Sequence, residues 1–392
     1  MAPYASDDST TAGEADEQRS GRRRAARYVV PVTVIGLAAA TIGLVPALAD
    51  SGDPDLQEIT AQQLIEKIAK SDVQQLSGTV KISADLGLPD LGGLEDSLMS
   101  GAASPDGGGS SAEPASRLME LASGTHTLRV AADGPDRQKL SLLENAAEYS
   151  IVHNGKDVWG YDSKSNEVYH GIASGSPKHE QRQPPALPKD FAEEALKAVG
   201  DTTSVTVDGT AQVAGRDAYK LLIKPKQSGS TVGAVTVAVD AKTGMPLKFT
   251  LTPASGGAAV VDAGFTRVSF AKPAASTFDF TPPKGAKVTE EKDVPGTADK
   301  SPKRAPESGK GLGKGLDGLD GMKTIGEGMP SGEAGGDLGG FMNSLGDKVN
   351  GRFGSGTVFS TRLVNALMTD DGKVYVGMVT KDTLVKAANA GR

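Results

Sequence analysis

The pattern of hydrophobic and polar positions changes its period after residue 72. Residues 60–72 (TAQQLIEKIAKSD) place Leu64 and Ile68 on one side of a 3.6-residue turn, which predicts an amphipathic helix. Thr60, followed three residues later by Gln63, is a capping-box pattern that marks the start of this helix. Beyond it, apolar residues alternate with polar ones, which is the period of a β-strand.

The alternating segments predict strands that follow one another as a meander. The first six are expected at 77–85, 125–133, 137–143, 147–155, 156–162 and 166–171. Asn154-Gly155 between the fourth and fifth strands is a strong hairpin signal. A second helix is predicted at 190–200, with Asp190 as its N-cap and Gly200 after its end. Strands then resume and continue to about residue 290.

These elements predict an α+β fold, an incomplete antiparallel β-barrel of about ten to eleven strands with helices plugging its mouth. Its expected bounds are 55–290. Residues 86–124 interrupt it with leucines among many glycines, either as a flexible insertion or as a mobile flap that covers an apolar surface. Residues 291–350 have a Gly-rich linker composition, and residues 351–392 predict a small C-terminal hairpin and helix.

An uncharged stretch near the N-terminus indicates in which cellular compartment the protein is located. Residues 28–49 (YVVPVTVIGLAAATIGLVPALA) follow a cluster of arginines and are long enough to span a bilayer. Their last residues, Ala47-Leu48-Ala49, also fit a signal peptidase site. The segment is therefore either a signal peptide or a retained anchor. Both alternatives leave residues 1–27, a polar segment expected to be disordered, in the cytoplasm, and predict an extracytoplasmic protein that is secreted or tethered to the cytoplasmic membrane.

Composition and motifs argue against several classes of function. The 392 residues carry 42 Lys+Arg and 49 Asp+Glu, and this net charge of −7 argues against general binding of nucleic acid. The absence of Cys excludes disulfides and thiolate metal sites. A G-x-G-x-x-G match at 313–318 lacks the strand and helix that a dinucleotide site needs. His153 and His170 could meet on neighbouring strands, but solvated or hydrogen-bonded histidines are expected there. We expect no enzyme activity, no metal and no cofactor.

A curved sheet of this size with only two helices to cover it is expected to enclose an apolar cavity. An acyl chain suits such a cavity, because each buried CH₂ contributes about 0.8 kcal/mol without any polar anchor. Strand parity predicts the residues that line it: Val80, Ile82, Leu128, Val130, Leu140, Leu142, Trp159, Tyr161, Tyr219, Leu221, Ile223, Phe249 and Leu251, with Leu64 and Ile68 closing one mouth from the first helix. Trp159 and Tyr161 share one strand face, where either ordinary core packing or a cavity wall explains them.

The order of these elements, with IVHNGKDVWGYDSKSNEVYHG (151–171) at their centre, resembles the LolA-like lipoprotein carriers and the MucB/RseB sigma-factor regulators. Three later segments agree with this resemblance: VAGRDAYKLLIKP (213–225), AVDAKTGMPLKFTL (238–251) and FDFTPPKGAKV (278–288). It implies a half-barrel that holds a lipid or the acyl chain of a lipoprotein. The alternative that it implies is an RseB-like sensor that binds an anti-sigma factor or the ectodomain of a membrane protein.

Overall fold

The computed structural model describes residues 53–87, 112–172, 186–290, 322–325 and 346–390. The predicted segments 1–27 and 28–49, and most of 291–350, lie outside these residues. Within the described ranges, no helix is long and apolar enough to cross a membrane. The described part of the chain is mostly β-structure, in two sheets with short helices.

The described α-helices are α1 (Ala61–Ala69), α2 (Pro114–Met119), α3 (Pro188–Lys197) and α4 (Lys381–Ala390). Helix α1 has the predicted capping box: the Thr60 hydroxyl accepts the N–H of Gln63 at 3.2 Å, and the Gln63 side chain accepts the N–H of Thr60 at 2.9 Å. Helix α3 starts two residues before the prediction, because Pro188 fits the first turn, where an N–H has no helical partner. Asp190 therefore lies inside the first turn instead of at the N-cap.

The larger sheet has twelve strands. They are β1 (Gln75–Ala84), β2 (Gly124–Asp133), β3 (Arg137–Glu144), β4 (Ala147–Asn154), β5 (Asp157–Asp162), β6 (Glu167–Ile172), β7 (Thr203–Val213), β8 (Arg216–Pro225), β9 (Val232–Asp240), β10 (Pro246–Pro253), β11 (Val261–Ser269) and β12 (Lys287–Glu290). Their spatial order is β12-β6-β5-β4-β3-β2-β1-β11-β10-β9-β8-β7, so β12 and β7 are edges and the sheet is open. The sheet is mixed and not purely antiparallel as predicted, because β12 runs parallel to β6.

Sequence neighbours pair from β1 to β6 and from β7 to β11, as a meander requires, and β1 joins these two halves by pairing with both β2 and β11. The predicted hairpin between β4 and β5 is confirmed. Asn154 pairs with Asp157, and Gly155 in the loop has φ of +67°, a conformation that glycine adopts without strain.

The two faces of the large sheet differ in what covers them. Helices α1, α2 and α3 pack on one face, here called the inner face, and together with it form the main hydrophobic core. Helix α3 contributes Phe191, whose ring stacks on Phe249 of β10 at 5.3 Å. The opposite, outer face is crossed by residues 270–290, here called the strap, which bury Phe278 before pairing as β12 with β6.

The C-terminal segment forms a second sheet, larger than the predicted hairpin. Its strands are β13 (Met322–Ile325), β14 (Asp347–Gly351), β15 (Gly354–Ser360), β16 (Asn365–Thr369) and β17 (Val374–Gly377), in the order β13-β17-β16-β15-β14, with α4 packed on them. This C-terminal body has its own core around Leu367 and Leu384. It also inserts Leu363 and Met378 into the main core, and the N–H of Thr380 donates to the Gly229 carbonyl at 2.7 Å.

Candidate functional site on the inner face

The inner face brings together most of the residues predicted to line a cavity. Leu64, Ile68, Val80, Ile82, Leu128, Val130, Leu142, Tyr219, Leu221, Ile223, Phe249 and Leu251 are all buried in the main core, and Leu140 packs against them while half-buried. Strand register explains the agreement. Val80 lies opposite Leu128, and Leu128 lies opposite Leu142, so their side chains share one face.

Trp159 and Tyr161 differ from the prediction, because they lie on the outer face. Their partners on β4 are Val152 and Ser150, whereas the inner-face residue Tyr149 pairs with Asp162. The hydrophobic pattern of β5 could not identify its inner face, since the strap covers the outer face at this place. The Phe280 ring of the strap lies 5.5 Å from the ring of Trp159.

Helix side chains fill the inner face in this structure. The buried residues of the main core are at most 9% exposed, and twelve of the fifteen predicted lining residues are among them. The sequence predicted two helices over this face, and the third, α2, comes from residues 86–124. Leu118 of α2 and Leu121 just after it are buried in the main core. Residues 88–111 lie outside the described part of the chain.

Arg117 fastens α2 to the sheet through an ion pair that the sequence analysis did not identify. Its guanidinium contacts the Asp162 carboxylate at the end of β5 and lies 3.4 Å from Glu144 of β3. The Asp162 side chain is only 3% exposed. A buried carboxylate needs such a partner, so a charge at an inward position of β5 was the available signal.

Tyr149 and Gly160 complete this attachment, here called the α2 latch. The Tyr149 hydroxyl donates to the Ala112 carbonyl at 2.9 Å, and the Arg117 guanidinium lies over its ring at 5.6 Å from the centroid. A Cβ on Gly160 would lie 2.2 Å from the same carbonyl, so this close approach requires glycine. The latch therefore holds the start of α2 directly against β4 and β5.

Two opposing effects set the pKa values of the charged groups in the latch, namely burial and pairing with an opposite charge. Burial raises the pKa of Asp162, but the hydrogen bond from Arg117 and the N–H of Lys164 outweigh it, so the pKa is lower than usual. Burial likewise tends to lower the pKa of Arg117, and its carboxylate partners raise it overall. Burial raises the pKa of Tyr149, which keeps its hydroxyl protonated as a donor. The latch thus has fixed charges and a fixed donor near neutral pH.

Helix α1 is attached at the other half of the sheet. The Tyr219 hydroxyl of β8 donates to the Gln57 carbonyl just before the helix at 2.8 Å. A Cβ on Gly244 would lie 2.4 Å from the Lys67 carbonyl in its last turn. The buried side chains Leu64 and Ile68 also attach the helix to the sheet.

His153 and His170 both have hydrogen-bonding partners, as expected. His170 of β6 contacts Asp157 through Nε2 at 2.9 Å and Glu290 through Nδ1 at 2.8 Å, and its ring stacks on Trp159. His153 Nε2 lies 2.9 Å from the Gly155 carbonyl. Over the described residues, no group of three or more acidic or histidine side chains is arranged to hold a metal ion.

Comparison with solved structures finds similar proteins. The complex of MucA and MucB from Pseudomonas aeruginosa matches at 16% identity and a TM-score of 0.40, over 84% of this chain and 96% of that chain. A LolA superfamily protein from Nitrosomonas europaea matches at 12% identity and a TM-score of 0.22, over 57% and 99%. A DUF1329 family protein from Desulfovibrio piger matches at 13% identity and a TM-score of 0.22, over 56% and 95%.

Sequence comparison with family models and with curated proteins gives no match. The two groups found among solved structures are those that the sequence motifs resemble. At these identities the function has to be inferred from the geometry of this chain. The chain is similar to MucB and to proteins of the LolA superfamily.

Proposed function

We propose that this protein is an extracytoplasmic, non-enzymatic lipid-binding protein that holds an acyl chain, free or attached to a lipoprotein, on the inner face of its large sheet. The observation that carries the proposal is the construction of that face. Residues from strands on both halves of the sheet form one continuous apolar surface, and three short helices cover it. The apolar stretch at 28–49 supports the extracytoplasmic location.

The cover is weak enough for a lipid to displace part of it. Helix α3 buries Phe191, Pro188, Ala192 and Ala195, and its Leu196 packs on the core while half-buried. Exposing these groups costs about 8 kcal/mol, at up to 3 kcal/mol for Phe, about 1.5 kcal/mol each for Pro and the half-buried Leu, and 0.8 kcal/mol for each alanine methyl group. An acyl chain that buries about fifteen CH₂ groups gains roughly 12 kcal/mol on the same scale. For an acyl chain transferred from water, replacing α3 by a lipid is therefore favourable by about 4 kcal/mol on this scale.

Native mass spectrometry of the full chain, purified from a secreting bacterial host and then extracted with solvent, tests the proposal. We expect a bound mass that extracts as lipid. A photoreactive diazirine fatty acid then locates the site, with adducts on inner-face residues such as Leu221 and Phe249 and none on Trp159 of the outer face. A protein that takes up no fatty acid or phospholipid, or one labelled on the outer face alone, would contradict the proposal.

The C-terminal body favours a second candidate, a regulatory module that binds a membrane-protein ectodomain such as an anti-sigma factor. Strand β14 is an edge of its sheet, and an edge strand can accept a strand from a partner. The MucB structure is a complex with MucA. A photo-cross-linker placed at Asn350 of β14 in the full chain should capture one membrane protein in cells, whereas the same group at exposed Asp217 of β8 should not.

A further inference from the structure

A groove of about 500 Å³, lined mainly by polar residue types, lies on the outer face, between the large sheet and the strap. Its walls include Thr79 of β1, Ser141 of β3 and Thr277 of the strap. It is separate from the apolar inner face, because neighbouring residues of a strand point to opposite faces. Its volume lies within the usual range for small-molecule sites, about 300–1,000 Å³.

Three cations surround this groove without a carboxylate partner. Arg129, Lys139 and Arg267 line it, and none of them makes an ion pair or a side-chain hydrogen bond with another described residue. Glu148 also lines the groove, but it accepts a hydrogen bond from Ser150 at 2.8 Å. The groove therefore has three positive charges and one negative charge, a net +2, in a protein whose overall charge is −7.

Strand register fixes the spacing of the two arginines. Arg267 of β11 and Arg129 of β2 both lie opposite Thr79 of β1, one on each side of it. Two strand spacings separate their backbones by about 10 Å. Arginine side chains are long enough to converge above Thr79 from this distance, and each presents a planar fork that suits an oxyanion. Lys139 stands diagonally from Arg129 on the same face, because it pairs with Ala131.

We propose that this groove binds a phosphate group. Two guanidinium groups and an ammonium group supply charge-assisted donors, and the hydroxyls of Thr79 and Thr277 supply neutral donors to the remaining oxygens. A phosphate monoester carries between one and two negative charges near neutral pH, which balances the net +2 of the groove. The phosphate can belong to a small soluble compound or to a phospholipid headgroup, and the chemistry of recognition is the same.

Two double variants of the full-length protein separate these sources and test the site. Arg129→Ser/Arg267→Ser removes two cations of the groove, and Lys220→Ser/Lys224→Ser removes two from β8 as a charge-matched control. Glycerol 3-phosphate is titrated by calorimetry, and partitioning is measured onto phosphatidylcholine vesicles with and without phosphatidic acid. We expect the arginine variant alone to bind roughly tenfold more weakly or worse, which is a loss of at least 1.4 kcal/mol.

The pattern of loss identifies the ligand. Loss confined to glycerol 3-phosphate indicates a soluble phosphate compound, and loss confined to phosphatidic acid vesicles indicates a headgroup. Loss with both probes supports a phosphate site that accepts either source. Equal losses in both double variants, or no phosphate-dependent binding by the wild type, would overturn the proposal. Both arginines are exposed and unpaired among the described residues, so the variant should keep the wild-type melting temperature. Should it fail to fold, the single variant Arg267→Gln provides the same comparison.

Discussion

Removing Arg117 tests whether the α2 latch controls access to the inner face. The substitution Arg117→Met keeps an unbranched apolar stem over the Tyr149 ring but removes the guanidinium that pairs with Asp162. Since the Asp162 side chain is 3% exposed, its carboxylate would be left with little solvation. We expect α2 to detach from β4 and β5 much more often, and fatty acid to enter faster.

The magnitude follows from the partners that Asp162 keeps. Removing one member of a buried ion pair costs about 3–5 kcal/mol when the other is left uncompensated. Asp162 retains the N–H of Lys164 at 2.7 Å and that of Ser165 at 3.4 Å, so we expect about 2–3 kcal/mol. If α2 opens locally, this cost raises its open population roughly 30- to 150-fold. The second substitution Asp162→Asn removes the orphaned charge, and the double variant should recover about half of the loss.

Hydrogen exchange of residues 112–122 and stopped-flow uptake of a fluorescent fatty acid measure the two effects. Lys70→Met is the control, because Lys70 pairs with Glu66 on the surface and both side chains are more than half exposed. The pH dependence gives a third readout. A lowered pKa of Asp162 means that its contribution is present above about pH 4 and is lost as pH falls through the folded-state pKa. Unchanged exchange and uptake in Arg117→Met would refute the assignment of the latch.

Three further predictions concern single residues. Burial raises the pKa of Asp190 although two N–H groups donate to its carboxylate, so the ionised form of Asp190 destabilises the fold. The variant Asp190→Asn should therefore resist urea better than the wild type at pH 7, and equal or lower resistance would contradict this. Burial lowers the pKa of His170, but Asp157 and Glu290 of β12 raise it overall. The protection of β12 amides from hydrogen exchange should therefore fall as pH rises past the raised pKa of His170, and His170→Gln should abolish this pH dependence. Gly160→Ala should lower the melting temperature, at a cost of about 1–3 kcal/mol from the clash with the Ala112 carbonyl just before α2. Gly200→Ala, whose added Cβ would meet no atom, should not lower it.

The strands and the inner-face residues could be predicted from the sequence, because the two-residue alternation of apolar positions matches the alternation of buried side chains. On β1 and β2 the apolar residues lie mainly on one face, so alternation identifies it, as at Val80 and Leu128. The start of α1 was predictable for a local reason, since its capping box involves only Thr60 and Gln63.

The parts that could not be predicted depend on contacts distant in sequence. The two faces of β5 cannot be told apart locally, because the strap that covers Trp159 follows more than a hundred residues later. The pairing of β12 with β6 depends on the same strap. The latch joins Arg117 to Asp162, 45 residues apart, and neither residue has a local pattern that indicates the other. The clustering of the groove cations could not be predicted either, because it depends on the pairing of β11 with β1.

The length of the covering helices connects stability with function. Helices α1, α2 and α3 have nine, six and ten residues, and helices this short are not stable in water without tertiary contacts. A helix that leaves the inner face therefore also tends to unfold, and its departure uncovers the apolar surface of the strands beneath it. Lipid entry then competes with the folding of the cover and not with the sheet, whose hydrogen bonds stay intact. This makes the rate of uptake depend on residues such as Arg117 that hold a helix in place, and the affinity depend on the strands beneath.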